Sequence, residues 1–140
     1  MTLKAFEALD GKTVSVLGTD YTIRISVADE GSKNVVAKTL GHQSASMLTQ
    51  LFLKEIWCDI NAYIDDGESQ VFGKDIRAID EDLTHELYHA FYFESGLDVC
   101  TDTDGCSNGW VRNETMIDWN AKQFHKILKA RRELGIMDQF

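Results

Sequence analysis

Two imidazoles and a carboxylate stand together in the run His85-Glu86-Leu87-Tyr88-His89. Residues four apart share one face of a helix, so His85 and His89 can grip one metal ion between them. Glu86 follows the first histidine directly, where its carboxylate can take a proton from water activated by that metal. The spacing therefore predicts a zinc site of hydrolytic type, with Glu86 as the general base. Catalytic zinc takes three protein ligands and keeps one position open, so a third ligand has to come from elsewhere in the chain.

This chemistry needs the motif on a helix. Ile76, Ile79, Leu83, Leu87 and Ala90 recur at helical spacing across the same window. Asp75 is the expected cap at its start and Gly96 at its end, giving a helix of about 20 residues. His85, Tyr88, His89 and Tyr92 form a second stripe, on the side away from the apolar one, and that face is expected to look into a cleft. A last long helix is predicted over residues 113–134, capped by Asn113, with Ile117, Ala121, Phe124 and Leu128 as its buried stripe and Gly135 at its end. Glu114 lies in its first turn and continues the face of Ile117, Asp118 and Ala121. That predicts an inward carboxylate, which is costly unless paired or bound to metal. An acidic residue is also favoured at any helix N-terminus. Glu114 is the expected third ligand. Asp118, one turn on, is the reserve ligand or the acceptor that fixes a histidine tautomer. His125 lies about 16 Å further along the helix, too far to bind the same ion.

Upstream, residues 13–17 and 20–27 alternate and are rich in β-formers, with Gly18-Thr19 predicting a tight hairpin between them. Residues 28–43 lack a clear period and read as loop with a short element. His42 falls there as a loop or capping histidine. Met47, Leu48, Leu51, Phe52 and Ile56 make a helical stripe behind Ser44, which predicts a helix over 44–55. Asp65 to Glu68 reads as a turn. Residues 97–111 read as a plain polar loop; Asp102-x-Asp104-Gly105 supplies only a fragment of a calcium loop.

The stretch Leu83–Leu97, LTHELYHAFYFESGL, resembles the active-site helix of zincin metallopeptidases. It is most similar to the small single-domain zincin-like proteins often encoded in phage and prophage genomes, which share features with the ImmA/IrrE-like peptidases. The run V-x-V-L-G-x-x-Y-x-I from Val14 to Ile23 resembles the start of those phage proteins. Glu114 to Ala121 resembles the family's E-x-x-(I/V)-x-x-x-A run, whose leading glutamate is a ligand. The resemblance implies zinc on His85, His89 and Glu114, with Glu86 as base. It also implies a small α+β domain over residues 1–140. In it an antiparallel or mixed sheet with an N-terminal hairpin packs on the motif helix, beside a long C-terminal helix. A strand is implied near 57–64, and an edge strand that lines up an extended substrate. The metzincin branch of such enzymes is excluded, because Ser95 stands where its third histidine belongs and Tyr92 where its glycine belongs.

Composition sets the outer bounds. A chain of 140 residues, 44% hydrophobic and 26% charged, is expected to fold as one ordinary globular domain. No apolar run is long enough to span a bilayer, and the first residues lack a basic region followed by an apolar one, so a cytoplasmic location is expected. A formal charge of −9 argues against nucleic acid or an anionic membrane as main partner. Lys126, Lys129, Arg131 and Arg132 read as a solvated helix end. The odd count of cysteines, Cys58, Cys100 and Cys106, suggests reduced thiols, and the spacing of the last two is not that of a common zinc knuckle. Trp57, Trp110, Trp119, Phe91 and Phe93 are expected in the core. The leading expectation is a zinc-dependent peptidase acting on a peptide or protein, with Tyr88, Tyr92 or Arg112 as oxyanion donor. Two readings compete with it: a catalytically silent zincin-fold protein that binds metal and a phage or host partner, and an acidic interaction protein that binds no metal.

Overall fold

The computed structural model describes residues 2–64, 74–97 and 109–135. They form an α+β fold built on a four-stranded mixed sheet. A short helix, α1 (Leu3–Glu7), precedes the hairpin of β1 (Thr13–Val16) and β2 (Thr19–Ser26). Val16 pairs with Thr19, so the turn residues are Leu17 and Gly18 rather than Gly18 and Thr19. Both have positive φ, 50° and 90°, the geometry that matches the twist of a two-residue hairpin.

The middle of the chain departs from expectation. The stretch read as loop contains α2 (Val35–Gln43), started by the Asn34 side chain, which accepts from the Val36 and Ala37 amides. Ser44 does not begin a helix; it ends α2 with φ 50°. His42 lies in the last turn of α2. The predicted helix over 44–55 is instead β3 (Met47–Gln50) and a turn, followed by β4 (Glu55–Asp59). Its apolar residues were spaced like a helical stripe, but Phe52 and Leu53 are exposed on the turn, while Met47 is buried. The strand expected over 57–64 is split by a 3₁₀ turn at Ile60–Ala62, leaving the short β5 (Tyr63–Ile64), which pairs with β6 (Lys74–Asp75).

The sheet order is β1-β2-β4-β3, with β2 parallel to β4 and β3 antiparallel to it. The parallel pair requires a crossover, which α2 and β3 supply. β4 is central and buried on both faces. Ile56 and Cys58 point into the main core with Phe6, Tyr21, Ile23 and Met47, while Trp57 points the other way, where α2 buries Ala37 and Leu40. β3 is one of the two edge strands, the other being β1.

Gly41 lets α2 sit close to the loop before it. A Cβ there would lie 2.6 Å from the Glu30 nitrogen and 2.9 Å from the Asp29 carbonyl carbon. Gly41→Ala is therefore expected to cost about 1–3 kcal/mol, read as a lower denaturation midpoint. An unchanged midpoint would mean that the loop yields freely.

The motif helix, α3 (Ala78–Glu94), packs Ile79 and Ala90 into the core, with Ile76, Leu83 and Leu87 against its edge, as the apolar stripe predicts. Its 17 residues start after Arg77 with no side-chain cap. Asp75 is not the cap: it lies in β6 and pairs with Arg77. The start of α3 is tied to the β5–β6 pair, and its end to β2 and the turn before β4. Near its start, Asp82 accepts from the Tyr63 hydroxyl at 2.7 Å and pairs with Lys74 at 2.7 Å. Burial, and then the Asp82 carboxylate, push the Tyr63 hydroxyl well above the usual tyrosine range, so it stays a donor. At its end, Glu94 accepts from Lys54, Tyr21 and Thr19, and the Lys54 ammonium holds its carboxyl below the usual range. These ties fix the rotation of α3, and with it the direction of the two histidines.

A 3₁₀ turn at Trp110–Arg112 leads into α4 (Glu114–Glu133). Asn113 caps α4 as predicted, and Ile117 and Ala121 bury its inner stripe against α3. That stripe is narrow. Trp119 lies on the outer side and Trp110 stands edge-on to Tyr92, so both are exposed, as is Phe91. Of the five aromatics expected in the core, Trp57 is buried and Phe93 half-buried. Cys100, Cys106, the 65–68 turn and the Asp102 to Gly105 run lie outside the described residues. Among the described residues, no helix is long and apolar enough to cross a membrane.

Candidate metal centre

α3 and α4 bring three potential ligands to one point. The Nε2 atoms of His85 and His89 lie 3.0 Å apart. The Glu114 carboxylate approaches them at 3.1 and 3.5 Å. One ligand atom from each residue falls within 4.8 Å of the others, and this trio is the metal-ligand group among the described residues. Two histidines one helical turn apart supply two corners, and the first residue of α4 supplies the third.

The far side of each imidazole is also held. His89 Nδ1 is 2.6 Å from the Val111 carbonyl oxygen, which can only accept, so Nδ1 carries the proton. His85 Nδ1 donates to Asp118 Oδ1 at 2.9 Å. With both Nδ1 atoms acting as donors, the Nε2 atoms turn lone pairs toward each other and toward a carboxylate. Three acceptors facing one another repel unless positive charge sits between them. That charge is an added proton or a metal ion. Two nitrogens on one tetrahedral zinc lie roughly 3.3 Å apart, close to the observed spacing. The donor set, two imidazoles and a carboxylate, is also the one used by many hydrolytic zinc sites.

Asp118 thus takes the orienting place rather than that of the reserve third ligand. Glu114 differs from its expected setting: its side chain is 64% exposed, turned to the cleft and not into the core. The cost of burial is absent, and the N-terminus of α4 favours its negative charge. Asp118→Asn is expected to weaken zinc binding roughly 10- to 100-fold, measured by competition with a chromophoric chelator. Unchanged affinity would mean that the Val111 carbonyl alone suffices.

The cluster opens on a cleft of about 440 Å³. One wall carries His85, Glu86 and His89; another is the β3 edge, with Ser46, Met47, Leu48 and Thr49; Glu114 and Asp118 close it. Glu86 is buried, at 8% exposure, yet lines this space. Cys58 lies on β4 within reach of its field. Burial first, and then the Glu86 charge, push that thiol up to about 12, and it does not line the cleft.

Tyr88, Tyr92 and Arg112 do not line the cleft. Tyr92 accepts from Asn120 of α4 at 2.6 Å, and Tyr88 turns into an apolar groove with Leu87, Phe91 and Phe124. The second stripe of α3 therefore splits: its histidines face the cleft and the first turns of α4, and its tyrosines meet Asn120 and Phe124 further along α4. Arg112 is exposed beside the site. The cationic side chain in the cleft is Lys74, paired with Asp82. Neither Lys74 nor Thr49 carried a signal in the sequence, because β3 and β6 were not legible there. The Val111 carbonyl is a main-chain group, which no residue type announces. His125 is exposed and far from the cluster, as its position predicts.

Comparison with protein-family models, with curated proteins and with solved structures finds no match.

Proposed function

We propose that this chain is a zinc-dependent peptidase. The observation that carries the reading is the convergence of three acceptor atoms, His85 Nε2, His89 Nε2 and a Glu114 oxygen, with both Nδ1 protons already committed. The resemblance of Leu83–Leu97 to zincin active-site helices supports it, as does the buried Glu86 on the same cleft wall.

His85, His89 and Glu114 would hold the zinc, with Asp118 and the Val111 carbonyl keeping the rings aimed. Zinc bound there supplies a Lewis acid that makes water acidic near neutral pH and polarises a carbonyl oxygen. Glu86 takes the proton from the attacking water and passes it to the departing amine nitrogen. The outer edge of β3, the edge strand that lines the cleft, offers main-chain hydrogen bonds to a peptide laid alongside it as an added strand. Such a peptide is held extended, with its main chain beside Glu86. The experiment is metal analysis of the purified chain, followed by a search for new termini after incubation with a mixed peptide library. Zinc-bound protein that generates none would sink the peptidase reading.

A further inference from the structure

We propose that Thr49 is a positioning residue for Glu86, so that the edge strand itself sets the aim of the base. The consequence for cleavage rests on the peptidase reading above; the contact does not.

Glu86 is the buried charged residue of the described structure. A buried carboxylate needs hydrogen-bond donors, and here the donor is Thr49. Its hydroxyl lies 2.7 Å from Glu86 Oε2 and 2.9 Å from the Glu86 main-chain oxygen. A hydroxyl has one proton to give. The main-chain oxygen sits inside α3, where the helix ladder already supplies a donor, so the proton goes to the charged oxygen. The hydroxyl therefore holds one carboxylate oxygen from a fixed point on β3 and sets the rotation of that group. Oε2 is committed to Thr49, and Oε1 is left for proton transfer.

The bland account of Thr49 is that a β-branched residue suits a strand. Valine would serve that purpose equally, but only a hydroxyl reaches the carboxylate. Thr49 also sits on β3 opposite Ile56, in the strand whose outer edge lines the cleft. A peptide added to that edge would be registered by the same strand that holds the base.

The test uses Thr49→Val and Thr49→Ser, with Thr49→Ala as a second deletion of the hydroxyl should valine fail to fold. In Thr49→Val, zinc content and KM are expected to stay within twofold of wild type while kcat falls roughly tenfold to a hundredfold; serine restores most of it. The readout free of activity is the Glu86 ¹³Cδ resonance in glutamate-labelled protein, assigned by its absence in Glu86→Gln. It is expected to move in the valine variant and return with serine. A resonance that stays put in the valine variant overturns the proposal whatever the activity. A moved resonance with unchanged kcat, or a kcat loss that serine does not restore, overturns the positioning role. A wild type that cleaves nothing is a failure of the peptidase reading, and the resonance then still decides whether Thr49 holds the carboxylate.

Discussion

Glu86→Gln is expected to retain zinc and to lose peptide cleavage by about a hundredfold to ten-thousandfold. The amide keeps the shape of the carboxylate and can still accept the Thr49 proton, so the surroundings of residue 86 are preserved. What it loses is the ability to take a proton from water and return it to the amine. The candidate ligands His85, His89 and Glu114 are untouched, and the orienting contacts of the histidines run to Asp118 and Val111, not to Glu86. Metal content and activity should therefore separate. The hydrogen bond to Thr49 survives in the buried amide, so no loss of fold is expected. Steady-state cleavage of the best library peptide, with zinc counted by elemental analysis, is the measurement. Equal rates in the two proteins would remove Glu86 from the mechanism. Zinc in both with cleavage in neither would favour the silent metal-binding reading.

The site was more legible in the sequence than the sheet that frames it. His85, Glu86 and His89 were readable because helical geometry turns sequence spacing directly into spatial proximity. Glu114 and Asp118 were readable for a related reason: both sit in the first turns of a helix with a clear cap and a clear apolar stripe. The hairpin was visible in its alternation, although its turn shifted by one residue, because Leu17 accepts a positive φ that its residue type disfavours. The stretch 28–57 failed. The Asn34 cap of α2 is a local signal, but the helix behind it is short and carries no clear apolar period. β3 has four residues and packs its inner side on α3, so its period never repeats often enough to be told from a helical stripe. Thr49 was lost with it. Tyr88 and Tyr92 show the converse limit. Their stripe was right, but which neighbour each side chain meets is decided by where α4 lies, and that is a tertiary fact.

Removing the metal, or one of its ligands, is the remaining large effect, and it tests the charge argument directly. Without a cation, His85 Nε2, His89 Nε2 and the Glu114 carboxylate must be separated or must capture a proton. Zinc held by the folded arrangement would stabilise it. At free zinc a hundredfold above its dissociation constant, linkage contributes about 2.7 kcal/mol. For a chain of this size that corresponds to a rise in Tm of roughly 5–10 °C. Chelation is expected to abolish the rise, and magnesium not to restore it, since two imidazoles suit zinc far better than a hard cation. His89→Ala is expected to lose both the bound zinc and the zinc-dependent part of Tm, because it deletes a ligand on the rigid helix. Glu114→Gln should lose less, because Glu114 is exposed and its amide oxygen remains a weak ligand. If the wild type carries no zinc and its Tm ignores the metal, then the positive charge between these side chains is a proton, and the hydrolytic reading falls with it.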